Sequence, residues 1–434
     1  MENYPNNNWL SPKRFLTIGI ILILSVLGFS LIIIIGCNGE TVTKTITETA
    51  SSNSNERTDW LIDSMDPCVI CHRVMTPGIV QQFSYSTMAA AGNTCRDCHE
   101  VEPTHPGAEA HQGTFRLSQP TPLMCQSCHE TEVDQFYQSR HALPAYVAMK
   151  GTQDLTSEHL AMYESIPEGG FAPDKGRNAL YVLEGSDVTR FACEVCHNIG
   201  QPNSDGSVGK CQDCHLRHIF SLEQARKPET CNACHIGPDH PQWEIYQESG
   251  HGIAYATDGH NWNWEADPDS LSVSDMPAAT CATCHQSAFG GVDASHDMGE
   301  RLTWYLFASI SERRPDWQEN QERMQSVCRQ CHNNIFIEEF YADADEVIEA
   351  VNAWVVESNE ILATLQAEGL LTEAAFDEPI DFVHFDLWHH WGRTTKFGAW
   401  MQGPDYTQWH GAYEILRDLA ELREIANQKI NSRE

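Results

Sequence analysis

Eight times along this chain two cysteines stand three positions apart with a histidine directly after the second. The copies are Cys68/Cys71/His72, Cys95/Cys98/His99, Cys125/Cys128/His129, Cys193/Cys196/His197, Cys211/Cys214/His215, Cys231/Cys234/His235, Cys281/Cys284/His285 and Cys328/Cys331/His332. They absorb sixteen of the seventeen cysteines. Zinc ribbons, redox dithiols and disulfide scaffolds all use cysteine, but none requires histidine at the fifth position. With histidine at 21 of 434 residues, eight coincidences are negligible. Each cysteine pair is suited to form two thioethers to one porphyrin, with the adjacent histidine beneath the ring as proximal iron ligand. The spacing therefore predicts eight covalently attached c-type haems.

That cofactor load bounds the fold. Only 41% of the residues are apolar, so stacked porphyrins are expected to supply core that side chains do not. Residues 61–335 read as an octahaem-binding region of short helices and loops, dense in Gly, Pro, Asp and Asn. The motif intervals run from 18 residues (Cys193 to Cys211) to 68 (Cys125 to Cys193), which excludes a regular solenoid. Residues 336–434 differ in texture. Over 338–368, Phe340, Val347, Ile348, Val351, Val355, Ile361, Leu362 and Leu365 recur at helical intervals among acids, predicting a long amphipathic helix. The expected class is mainly α, with a haem-packed core and a C-terminal long-helix region.

The N-terminus carries a targeting signal. Residues 15–36 form an uncharged apolar run after Lys13 and Arg14, long enough to span a bilayer. The run ends at Ile34-Ile35-Gly36-Cys37, which resembles a bacterial lipobox. Residues 1–36 are thus a signal peptide with lipid attached at Cys37, or an uncleaved anchor helix. Residues 37–60, rich in Thr, Ser, Asn and Glu, read as a flexible tether. Either way the expectation is a membrane-anchored protein facing the periplasm or cell exterior. A formal charge of −34 excludes nucleic acid as a partner and favours basic or neutral ones.

Removing the motif histidines leaves thirteen others, enough to fill the distal side of every haem. A haem with histidine on both faces passes electrons, whereas chemistry at iron needs one face open. Asp239-His240 in CHIGPDHPQWE places a carboxylate beside an imidazole, an arrangement suited to proton transfer. The plainer alternative is that His240 is a distal ligand.

Three segments, CQDCHLRHIFSLEQARKPETCNACHIGPDHPQWEIYQESGHGIAY, ASHDMGERLTWYL and GAWMQGPDYTQWHGAYE, give the chain its resemblance to the octahaem hydroxylamine oxidoreductase family over about residues 68–415. That family includes hydrazine-oxidising and reductive nitrite-processing relatives. The resemblance implies that the fourth haem, on Cys193, Cys196 and His197, is catalytic and lacks a distal protein ligand. It implies that Asp239 and His240 exchange protons with substrate. It also implies that Tyr406 cross-links the catalytic haem of the next subunit in a homotrimer, a feature of oxidative members. By family context the distal ligands of the other seven haems are His111, His141, His218, His251, His296, His390 and His410, with His105 and His389 as nearest rivals. One departure is Phe397 in KFGAW, where some relatives place histidine; it leaves the C-terminal ligation open.

The leading expectation is oxidation of hydroxylamine or hydrazine at a five-coordinate haem, with electrons leaving through seven bis-histidine haems. The receiver would be a cytochrome or a membrane quinone-linked protein. Two rivals are reduction of nitrite or hydroxylamine, and a non-catalytic conduit whose haems are all six-coordinate.

Overall fold

The computed structural model describes residue 61 and residues 64–166 and 173–432. The predicted apolar run 15–36, Cys37 and the tether 37–60 lie outside them. Among the described residues no helix is long and apolar enough to cross a membrane. The chain is mainly α-helical, with one two-stranded sheet.

The attachment motifs are built into short helical turns, for a geometric reason. Residues at i, i+3 and i+4 share one helix face, so a single turn presents both cysteines and the histidine to the same side. Cys95–His99, Cys193–His197 and Cys281–His285 are five-residue helices of this kind. Such short helices need external help to start. Thr94 and Asp97 cap the first reciprocally, the Thr94 amide donating to Asp97 Oδ2 at 2.6 Å. Thr280 and Thr283 do the same for Cys281–His285. Asp66 caps Pro67–Met75 by accepting from the Cys68 amide at 2.7 Å.

The sheet is a hairpin of Glu109–His111 and Thr114–Arg116, joined by Gln112 and Gly113. Both joining residues have positive φ, 49° and 85°, the left-handed geometry that matches the twist of a two-residue hairpin and that glycine adopts without strain. This turn fixes His111 at the hairpin tip.

Side-chain packing in the motif-bearing region is limited to small clusters, such as Leu143, Val147, Tyr163, Ile166 and Val208. Around the fourth motif, Phe191 is 76% and Val195 61% exposed by the polypeptide alone. Apolar groups grouped like this mark a surface that something else covers, and a porphyrin bonded to Cys193 and Cys196 is suited to it. None of the sixteen motif cysteines is paired in a disulfide among the described residues. Among the described residues no three Cys, His, Asp or Glu side chains converge on a metal-sized site, as a zinc ribbon would require.

The polypeptide covers the attachment cysteines unevenly. Cys71, Cys128 and Cys331, the second cysteines of the first, third and eighth motifs, are exposed, whereas the other thirteen are partly enclosed. The reason is local. Cys128 and Cys331 lie beyond the ends of the helices Pro122–Gln126 and Trp317–Cys328, on turns that the polypeptide does not cover. Cys71 lies in Pro67–Met75, a helix that buries only Val69. At these three sites the protein builds no pocket wall over the sulfur, so a porphyrin bonded there would be its main cover.

The C-terminal region holds itself together. Asn333 caps a 34-residue helix, Asn334–Ala367, by accepting from the Phe336 amide at 2.9 Å. The predicted 338–368 helix is thus present, beginning four residues earlier. Its Val351, Val355 and Leu365 pack with Ile380, Leu387, Ile415, Leu419 and Leu422, the last three from the helix Tyr413–Asn431. All eight are essentially fully buried. Each such side chain contributes about 1.5–3 kcal/mol, so this core needs no cofactor.

Candidate functional site

Several motif histidines are oriented through Nδ1. His99 Nδ1 donates to the Leu117 carbonyl at 2.8 Å and His197 Nδ1 to the Ala145 carbonyl at 2.7 Å. His72 Nδ1 lies 2.7 Å from Thr76 Oγ1, and His235 Nδ1 3.2 Å from Gln242 Oε1. A ring that donates from Nδ1 keeps its lone pair on Nε2, the tautomer and orientation that a metal ligand needs.

Five motif histidines face a second imidazole. Ring centres lie 6.2 Å apart for His72 and His111, 6.2 Å for His99 and His218, 5.9 Å for His141 and His235, 6.2 Å for His215 and His296, and 6.1 Å for His251 and His332. Two imidazoles on opposite sides of one iron hold their centres about 6 Å apart, given bonds of about 2 Å from each nitrogen. Rings in direct contact would sit closer, so these separations fit an iron porphyrin. Burial pushes His141 down to about 3, and His215 and His235 to about 4, keeping them in the neutral ligand form.

The remaining nominees are placed differently. His390 turns Nδ1 to Asp386 at 2.8 Å and lies against Phe385 and His389. His410 turns Nδ1 to Asp405 at 2.8 Å and stacks on Tyr406. Among the described residues neither has ring contact with a motif histidine, and His129, His197 and His285 have no imidazole partner. His105 Nδ1 donates to the Pro106 carbonyl at 2.7 Å, with Nε2 3.9 Å from Asp205.

His197 is buried, and the charged or polar groups that act on it are His240, Asp239 and Arg393. Asp239 and His240 come from the loop after the sixth motif; His389 and Arg393 come from the C-terminal region. His389 lies in the π-helical segment Asp386–Gly392, and Arg393 begins the helix Arg393–Met401. π-Helical turns widen the backbone spacing and recur at functional sites. Asp239 Oδ2 sits 3.5 Å from His240 Nε2, 3.5 Å from Arg393 Nη1 and 4.0 Å from His389 Nε2. Arg393 Nη1 donates to His389 Nε2 at 2.9 Å, and its Nε donates to the Phe307 carbonyl at 2.9 Å. Thr394 Oγ1 donates to the Pro238 carbonyl at 2.8 Å and ties the two halves of the cluster together.

A guanidinium only donates, so His389 Nε2 accepts and its proton resides on Nδ1. That Nδ1 and the Nδ1 of His240 are both buried without a hydrogen-bond partner. Phe307 covers the cluster, 6.2 Å from His240 and 5.0 Å from Phe397. Lys396, fully buried, pins the same covering loop through the Ala308 carbonyl at 2.8 Å and Ser311 Oγ at 2.9 Å. His240 also lies 6.0 Å from His235, which therefore has two imidazole neighbours.

The structure brings Asp239 and His240 to the fourth motif and leaves Tyr406 elsewhere in the chain. Its amide lies 3.5 Å from Glu248 Oε1, and burial with Glu244, Glu248 and Asp405 raises its phenol pKa. No hydrogen bond, ion pair or ring contact joins it to Asp239, His240, His389 or Arg393 among the described residues. Sequence reasoning missed Arg393 and took His389 only as a rival ligand. The signal was present: residues 389 and 393 are four apart and share a helix face.

A sequence profile described as seven times multi-haem cytochrome CxxCH matches residues 91–379. Seven motifs, from Cys95 to His332, fall inside that range, and Cys68/Cys71/His72 precedes it. A probable nitrite reductase-hydroxylamine oxidoreductase fusion protein of Kuenenia stuttgartiensis is 29% identical over 229 residues, 51% of this chain. The match spans about a quarter (25%) of that relative's length. Among solved structures, a hypothetical multiheme protein aligns with a TM-score of 0.73 at 22% identity, covering 89% of this chain and 98% of the other. The reducing HAO-like protein complex of Kuenenia stuttgartiensis aligns with a TM-score of 0.63 at 18% identity, covering 88% of each. These two likenesses concern the fold.

Proposed function

Since this chain belongs to the multi-haem cytochrome CxxCH family, we propose that it is a redox enzyme converting a small nitrogen compound of the hydroxylamine class at the fourth attachment motif. One observation carries the reading. His197, oriented through the Ala145 carbonyl, has no ring contact with another imidazole among the described residues, while His240, Asp239 and Arg393 act on it electrostatically. A c-type haem held by Cys193, Cys196 and His197 would supply the redox-active iron there.

The protein's own part is to bind, orient and manage protons. With Nε2 of His240 directed at Asp239, its Nδ1 is the nitrogen left to take a proton from an N–H or O–H group. Asp239 stabilises the resulting imidazolium and fixes the ring. Phe397, 5% exposed, and the Phe307 ring against it give the pocket an apolar side, which strengthens each electrostatic contact there. Hydroxylamine oxidation is the leading direction, with hydrazine as the related substrate.

The same reading assigns eight haems, one more than the family profile counts, with His111, His141, His218, His251 and His296 as distal ligands on the geometry above. His390 and His410 complete the set by resemblance. It assigns Tyr406 to a cross-link with the fourth haem of a neighbouring copy in a trimer, and the chain to the outer side of a membrane through residues 1–37. The electron partner is a basic or neutral carrier, such as a cytochrome, suited to a surface of charge −34. A reductive reading is favoured by one feature, the largely enclosed Arg393, which suits an anionic substrate.

Turnover assays on purified holoprotein with hydroxylamine, hydrazine and nitrite, joined to mass spectrometry of the peptide bearing Tyr406, test substrate, direction and cross-link together. Hydroxylamine-dependent reduction of the haems with a haem-linked Tyr406 peptide is the expected result. A fully low-spin protein inert to all three compounds would leave a conduit instead.

A further inference from the structure

We propose that Arg393 and His389 form an oxyanion-recognising wall of the fourth-motif pocket, selecting nitrite, the anion at the oxidised end of hydroxylamine chemistry, over neutral nitrogen ligands. The inference rests on the pocket assigned above and applies whether nitrite is consumed or produced, because binding is the same in both directions.

The argument is one of donors and acceptors. Arg393 is largely enclosed, its side chain 13% exposed, with its guanidinium 5.4 Å from the Phe307 ring centre and 5.3 Å from that of Trp388. A cation in such surroundings needs partners that accept hydrogen bonds. Its described bonds run from Nε to a carbonyl, from Nη1 to His389 and, at 3.5 Å, from Nη1 to Asp239 Oδ2, leaving Nη2 without a protein acceptor among the described residues. The one carboxylate near it, Asp239, stands 3.5 Å away and also faces His240.

Arg393 further decides what His389 offers. By occupying the Nε2 lone pair, it leaves His389 as a donor through Nδ1, a buried N–H with no partner. Two donors that no described residue satisfies, one of them cationic, fit a ligand with two acceptor oxygens and a negative charge. Hydroxylamine, which mainly donates and carries no charge, gains little from either.

The test is equilibrium titration of oxidised holoprotein, followed by the haem absorption and electron paramagnetic resonance spectra, with nitrite and with hydroxylamine. Arg393→Met and Arg393→Gln should each weaken nitrite by about 10- to 100-fold, as the loss of one charge-assisted hydrogen bond predicts, and shift hydroxylamine by no more than about twofold. Arg393→Lys, which keeps the cation and loses the fork, should fall between wild type and Arg393→Gln. Haem content of each variant identifies those that assemble, and any one of the three that does so decides the matter. Equal weakening of both ligands, or no change in either, overturns the selectivity while leaving the pocket intact. A wild-type protein that binds neither ligand overturns the pocket itself.

Discussion

The imidazole of His111, at the tip of a two-residue hairpin, stands 6.2 Å from that of His72 with the planes 31° apart. His72 precedes the region that the family profile matches, whereas His111 lies inside it. His111→Ala should keep the haem attached through Cys68 and Cys71 and convert one low-spin haem to high spin. Haem stain and electron paramagnetic resonance of the purified variant check both halves, and an unchanged low-spin count would remove His111 from the ligand set.

His240 has two possible employments that spectroscopy separates. As an acid/base, His240→Ala should retain all haems and their low-spin signals and lose at least about 100-fold in hydroxylamine turnover. As a ligand opposite His235, 6.0 Å away, its loss would instead turn one low-spin haem high-spin. The second pattern would leave His141, at 5.9 Å, without the role assigned to it.

Lys396 links stability to pH. Burial, reinforced by Arg393, pushes its pKa down to about 7 from 10.5. Between those values the unfolded chain holds a proton that the folded one lacks, so this residue makes stability rise with pH, by at most about 1.4 kcal/mol per unit, and adds no slope below pH 7. Denaturant titrations of wild type and Lys396→Met at pH 7.5 and 9.5 should show wild type gaining on the variant as pH rises. Parallel behaviour would mean that the ammonium is not desolvated in the folded state.

Leu419 anchors the Tyr413–Asn431 helix against the long helix and is 1% exposed. Leu419→Ala should destabilise by about 2–5 kcal/mol through lost burial and a cavity. Because this core is remote in sequence from the attachment motifs, the spectra of the haems should stay as they are in the folded variant. Thermal unfolding followed at 222 nm, compared with the haem absorption, reads both.

What could be read from sequence divides along physical lines. The attachment turns and the 338–368 periodicity are local patterns, and local patterns survive translation into structure: the helix runs over Asn334–Ala367. How deeply each turn is enclosed is not local, which is why Cys128 and Cys331 share the spacing of the other motifs and not their cover. Pairing of distal histidines is not local either. His99 meets His218 and His251 meets His332 across stretches that no periodicity encodes, and those nominations came from resemblance. His390 and His410, nominated on the same ground, turn Nδ1 to Asp386 and Asp405. Arg393 went unread because its significance depends on a π-helical stretch and on a loop 154 positions away, where Asp239 lies.

The pocket draws its two walls from regions with different needs. Asp239 and His240 belong to chain that has little core of its own, whereas His389 and Arg393 stand next to a hydrophobic cluster that is complete in polypeptide alone. The C-terminal wall is therefore braced by side chains alone, through Leu387 in the π-helical segment just before the arginine. The wall that carries Asp239 has no such brace, so loss of porphyrins is expected to loosen that wall first and to separate the carboxylate from the guanidinium.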